Sequence, residues 1–207
     1  MSALLYKDLR NLRRYIAQLL AICFAFGLIF GISNGNFYFI SGYASILSLM
    51  IVLNSMAYDE QCGWYRCVLT MPLSRKTLVG GKYLLGLIAV GGSMIYALLL
   101  SAAGSFFFPV SMLESFFATG SCCCVALFLL AILLPLLFRY GTEKARLLMT
   151  LIFLVPVLLV LIFSQLGLPM PDESLLIKLL IALPFFSAAV YLLSFLLSVR
   201  LFRVRLP

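Results

Sequence analysis

Residues Tyr58–Tyr83 read Tyr-Asp-Glu-Gln-Cys-Gly-Trp-Tyr-Arg-Cys-Val-Leu-Thr-Met-Pro-Leu-Ser-Arg-Lys-Thr-Leu-Val-Gly-Gly-Lys-Tyr. Acids open this stretch, an aromatic pair lies near its middle and basic residues close it. It is the longest polar interruption between apolar runs, so its reading decides what the runs around it are. Of all residues, 64% are hydrophobic and 11% charged, against roughly 45–50% and about 25% in soluble domains. With a mean hydropathy of +1.16, the chain lacks the residues to build a polar shell. It reads as an all-α integral membrane protein in which residues 58–78 form a polar loop.

A helix crosses a bilayer in roughly 20 apolar residues. Working outward from the loop, that length predicts spans at 37–57 and 79–103, then at 15–33, 115–138, 147–167 and 176–199, six in all within one membrane domain of 207 residues. Fourteen of the fifteen basic residues fall on one side of this arrangement, leaving Lys178 on the other. The positive-inside rule then places both termini and the 58–78 loop in the cytoplasm. The formal charge of +8 is dispersed into clusters beside apolar runs, which points to membrane orientation rather than nucleic-acid binding.

Ahead of the first span, residues 1–14 are amphipathic: Leu5, Leu9, Leu12 and Ile16 fall on one side at helical spacing, and Lys7, Arg10 and Arg14 on the other. This predicts a helix lying in the membrane surface with its cations among lipid phosphates; it equally serves as the basic flank of the first span. Gly27, Gly31 and Gly35 recur every fourth residue, a small-residue row for close helix packing. Ser41, Ser45, Ser48 and Ser55 share a face of the second span and read first as packing, second as the wall of a substrate route. Pro135, Pro156 and Pro184 interrupt the backbone hydrogen bonding of the last three spans.

Several chemistries are excluded. Histidine is absent and the six cysteines have no zinc-like spacing; most sit in apolar runs, where thiols behave as small hydrophobes. No charge lies deep in a predicted span, which argues against a proton relay and leaves an intramembrane hydrolase without a general base. Gly80-Gly81-Lys82 lacks the spacing, and the following Ser or Thr, of a phosphate-binding loop. No catalytic, cofactor or metal residue is therefore assigned, and any driving energy comes from outside this chain.

In the loop, Asp59 and Glu60 are placed to begin a short helix and complement its dipole. Trp64 and Val68 share a face with Glu60, a knob that fits a partner's groove; the alternative is an ordinary basic loop with a Trp–Tyr interfacial anchor. Met71-Pro72 stops that helix, and Ser74 is the N-cap of the next. Arg75, Lys76 and Lys82 are set to meet lipid phosphates.

Asp-Glu, Gly-Trp-Tyr, Leu-Thr-Met-Pro-Leu-Ser-Arg-Lys and Val-Gly-Gly-Lys-Tyr, in this order, resemble the loop between the second and third spans of ABC-2 type permeases, nearest the short bacterial subgroup that includes phenol-soluble-modulin exporters. The resemblance implies a coupling helix that seats in an ATPase subunit. Tyr58, Asp59, Glu60, Gly63, Trp64, Tyr65 and Arg66 belong to its docking segment. Leu69, Pro72, Ser74, Arg75 and Lys76 form the turn back to the membrane, with Lys82 and Tyr83 opening the third span. It further implies a permease homodimer with two ABC ATPases, ATP and magnesium on those partners, residence in the bacterial plasma membrane, and export of amphipathic or hydrophobic cargo such as peptides or drug- and lipid-like molecules. The rival reading is a non-transporting scaffold or sensor that recruits a cytoplasmic regulator through the same loop.

Overall fold

The computed structural model describes residues 2–34, 38–69, 74–105, 112–148, 150–152, 154 and 173–204. Seven helices are seen among these residues: α1 (Ser2–Asn34), α2 (Tyr38–Gln61), α3 (Trp64–Leu69), α4 (Arg75–Gly104), α5 (Met112–Tyr140), α6 (described over 142–148, 150–152 and 154) and α7 (Glu173–Val204). There is no strand among the described residues. That is the outcome a hydrocarbon environment demands, since each helix satisfies its own backbone donors and acceptors.

Among the described residues four helices are long and apolar enough to cross a membrane: Phe39–Gln61, Lys76–Gly104, Met112–Tyr140 and Ala182–Leu201. They coincide with the second, third, fourth and sixth expected spans. Most of the fifth, 147–167, lies outside the described residues, as do Gly35, Pro156 and Pro72. The first differs from expectation. The surface helix and first span are one uninterrupted helix of 33 residues, roughly 50 Å long at 1.5 Å per residue. A flat helix feeding a span needs a break between them, and none occurs between Ser2 and Asn34.

α5 is the central post. Leu130, Leu134 and Leu137 are each at most 1% exposed and join the main core with Leu49 and Val52 of α2, Val79 of α4, Ala145 of α6 and Tyr191 of α7. α1 packs on α2 and α4 through a smaller cluster of Cys23, Ile40, Ala44 and Ala97, and meets α3 where Lys7 lies over Trp64. Helices in lipid gain little from apolar burial and associate through close packing and hydrogen bonds. The interface of α4, α5 and α7 shows both. Tyr191 Oη donates to the Tyr83 carbonyl at 2.7 Å, and Ser194 Oγ donates to the Ala131 carbonyl at 2.5 Å. The single Ser194 proton being engaged, the Tyr83 hydroxyl donates to Ser194 at 2.6 Å and accepts from Ser198 at 2.7 Å. Gly86 makes room for this: a Cβ there would lie 3.0 Å from Tyr191 Oη.

The remaining packing expectations fall as follows. Ser41, Ser45, Ser48 and Ser55 are all buried. At Gly27 an added Cβ would come 3.1 Å from Ile40 Cδ1; Gly31 lies in α1. α5 and α7 run through Pro135 and Pro184 without interruption. None of the six cysteines is in a disulfide, and Cys123 is buried in the main core.

Candidate functional site

The polar stretch starts later than its composition suggests. α2 continues through Asp59 and Glu60 to Gln61, so the two acids close a long helix instead of opening a short one. They sit at the negative end of its dipole, a position that costs about 0.3–1 kcal/mol per charge at exposed sites. Cys62 N donates to the Tyr58 carbonyl at 3.0 Å and Gly63 N to that of Glu60 at 3.2 Å. Gly63 then adopts φ 61°, the left-handed conformation that glycine reaches without a Cβ penalty, and α3 leaves in a new direction.

Partners from distant parts of the chain offset the placement of the acids. Asp59 is 4% exposed. Its Oδ1 accepts from Lys7 Nζ at 2.5 Å, and Lys82 Nζ stands 2.6 Å from its Oδ2. That second approach is a close ionic contact off the hydrogen-bond line, so Oδ2 has a charge beside it and no aligned donor. Lys82 Nζ also donates to Asp8 Oδ2 at 2.8 Å and to Ser55 Oγ at 2.6 Å. Lys7 lies 3.4 Å from Asp8 Oδ1 and 4.0 Å from the centre of the Trp64 ring, a cation–π distance. Two ammonium groups and two carboxylates thus form a neutral, mostly buried cluster that binds α1, α2, α3 and α4 at one point.

Glu60 is held separately. Its Oε2 accepts from Thr142 N at 2.7 Å and from Thr142 Oγ1 at 2.6 Å. Thr142 opens α6 just after Gly141, whose φ is 84°. The Glu60 carboxylate therefore caps the N-terminus of another helix, where free N–H groups and the dipole favour an anion. One loop is tied by Asp59 to α1 and α4 and by Glu60 to α6.

Three expectations are corrected. Lys82 does not meet lipid phosphates: it is 7% exposed, because the second turn of α4 faces the carboxylates of α1 and α2. Lys7 turns from the solvent side of α1 to Asp59 for the same reason. The stripe of α1 that faces the body runs through Asp8 and Leu12, while Leu9 is 40% exposed and Leu5 half-buried; Arg10 and Arg14 remain exposed. In α3, Val68 is 3% exposed and Trp64 is half-buried under Lys7, so both pack toward the chain's own body. Among the described side chains of this segment, Tyr58, Gln61, Cys62 and Cys67 are exposed, with Ser74 and Lys76 beyond. Tyr65, Arg66 and Leu69 lie in α3 and Arg75 opens α4. Ser74 caps α4 as expected, accepting from Thr77 N at 3.3 Å.

Asp8 and Thr142 escaped the reading of the sequence, and Ser55 was read as packing or a route wall and not as a partner of Lys82. The available signal for Asp8 was its isolation as an acid among Lys7, Arg10, Arg13 and Arg14; nothing local marked Thr142.

The described residues form a multi-pass helical membrane protein whose polar loop is tied to α1, α4 and α6. The chain matches the family described as ABC-2 family transporter protein over residues 3–203 and belongs to that family. It is accordingly a permease subunit of an ABC transporter, a class that works with an ABC ATPase. Comparison with curated proteins and with solved structures gave no match.

Proposed function

We propose that this permease couples ATP hydrolysis on a separate ATPase to export, and that the ATPase pushes on the segment from Tyr58 to Lys76. The observation that carries the reading is the double tether of the α2 end. A force on α3 has rigid routes to α1 and α4 through the Asp59 cluster and to α6 through Glu60. Rigid-body switching between two packings requires such connections. Tyr58, Asp59, Glu60, Gly63, Trp64, Tyr65 and Arg66 make the docking segment, and Leu69, Pro72, Ser74, Arg75 and Lys76 make its return. Within it Asp59, Glu60 and Trp64 brace the segment from inside, and the exposed face of α3 around Cys67 meets the ATPase.

Two copies of this chain and two ATPases form the working unit, with ATP and magnesium on the ATPases. The charge asymmetry supports residence in the plasma membrane with both termini and the loop in the cytoplasm. Apolar spans without buried unpaired charge support amphipathic or hydrophobic cargo, peptides or lipid-like molecules, over ions.

The exposed thiol of Cys67 offers the test. In a variant retaining Cys67 alone, a membrane-impermeant maleimide is expected to label it only after cells are permeabilised. A thiol-anchored photo-crosslinker there is expected to capture the ATPase. Labelling in intact cells, or capture of no ATPase in an assembled transporter, overturns the proposal.

A further inference from the structure

An apolar groove of about 380 Å³ runs between α1, α2 and α4. Its floor is α2, where Ala44 and Ser48 are buried; its rims are exposed, with Leu20 on α1 and Ile88 and Leu99 on α4. Three hydroxyls occur in the lining and each is already engaged with a backbone carbonyl: Ser48 with Ser45, Ser93 with Val90 and Tyr96 with Leu20, at 2.6, 2.8 and 2.9 Å. The hydroxyl protons are thus already spent within the chain, and the rest of the lining is apolar apart from the Cys23 thiol, so water there is short of the two to four hydrogen bonds it needs.

Its length suits a chain-like occupant. Leu85 and Leu99, both in the lining, are separated by roughly 21 Å along α4 at 1.5 Å per residue. A hydrocarbon chain is about 4 Å thick by carbon contact distances, and a groove this long accommodates one lengthwise.

Charge at one end selects further. Arg13 follows Leu9 by four residues and precedes Ile16 by three; both of these line the groove. Helical periodicity puts Arg13 on the same rim, where it is exposed. The acids nearest to it along α1 and at the α2 end, Asp8 and Asp59, are committed to Lys82 and Lys7. Arg10 and Arg14 flank it on the exposed side.

We propose that the groove is a binding site for an anionic phospholipid, one acyl chain lying along α2 and the phosphate held by Arg13. This goes beyond the coupling reading and does not depend on it. Gly92 provides the means of testing it, since it lines the groove and a Cβ added there meets nothing within 4 Å. Gly91 is equally open but lies outside the lining, which makes it the matched control.

The full chain is reconstituted in nanodiscs of equal phosphatidylglycerol and phosphatidylcholine, and retained lipid is counted by native mass spectrometry. The expected result is one retained lipid per chain, with phosphatidylglycerol favoured about fivefold by a single surface cation. Gly92→Phe is expected to abolish retention while Gly91→Phe leaves it at the wild-type level. Arg13→Gln is expected to keep a lipid but lose the preference for phosphatidylglycerol. Undiminished retention in Gly92→Phe overturns the proposal, and so does equal loss in both phenylalanine variants. A headgroup preference unchanged in Arg13→Gln overturns the anionic assignment. Conversion of dimers to monomers by Gly92→Phe shows instead that a second copy occupies the groove.

Discussion

An ammonium group has three protons, and Lys82 places three oxygen partners around them, from Asp8, Ser55 and Asp59. Losing one member of a buried ion set leaves a charge unbalanced at a cost of about 3–5 kcal/mol, more than a hydrophobic replacement recovers. Lys82→Met is therefore expected to lower thermal stability by that order, read as a fall in Tm of the detergent-purified protein. Lys82→Met with Asp59→Asn restores neutrality around Lys7 and Asp8 and is expected to recover much of the loss. A Lys82→Met protein as stable as wild type would show that the cluster contributes nothing. At Gly86 the conflict is steric. Gly86→Ala forces a Cβ against a hydroxyl already bound to the Tyr83 carbonyl, and overpacking of this kind costs about 1–3 kcal/mol. Tyr191→Phe removes the obstructing oxygen, so the two changes together are expected to cost less than their sum; strict additivity in Tm-derived values would refute the contact.

Among the elements, the end of α2 shows how far local pattern carries. Apolar runs of the right length were enough to expect α2, α4, α5 and α7, because burial in lipid is written in composition. Ser74 was legible as a cap because its partner, Thr77, is three residues away. The continuation of α2 through Asp59 and Glu60 was not legible. Two acids at a helix C-terminus are locally unfavourable, and what offsets them lies 52 residues away at Lys7 and 82 away at Thr142. The stretch proposed as the docking segment stands out in composition, but the inward turn of Trp64 and Val68 depends on where α1 lies. The turn itself rests on Gly63. With open space around it, Gly63→Ala tests backbone conformation alone, and a left-handed residue with a Cβ costs about 1–2 kcal/mol. The expected signs are a lower Tm and faster maleimide labelling of Cys62. Gly63→Asn is expected to be milder, since asparagine tolerates this conformation. Equal damage from both would point to a role other than φ.

At the scale of the whole molecule, attachment is uneven. α5 is surrounded by α2, α4 and α7, whereas α1 lies against α2 and α4 and touches α3 through Lys7 over Trp64. It is fastened by the charge cluster near its start, by the Tyr96–Leu20 hydrogen bond and by the small apolar cluster around Cys23. Elements with few tertiary contacts open at lower free energy than the core. That arrangement suits a lever: the part of the permease expected to move most easily is bonded directly to the loop expected to receive the push. Hydrogen exchange measures this. Amides of α1 are expected to exchange faster than those of α5 in the wild-type protein. Asp8→Asn removes a charged partner of Lys82, a bond worth about 1.5–3 kcal/mol, and is expected to accelerate exchange along α1 by roughly tenfold or more while α5 is unchanged. Equal acceleration in α1 and α5 would mean that the chain opens as one unit, and the lever would have no independent motion to transmit.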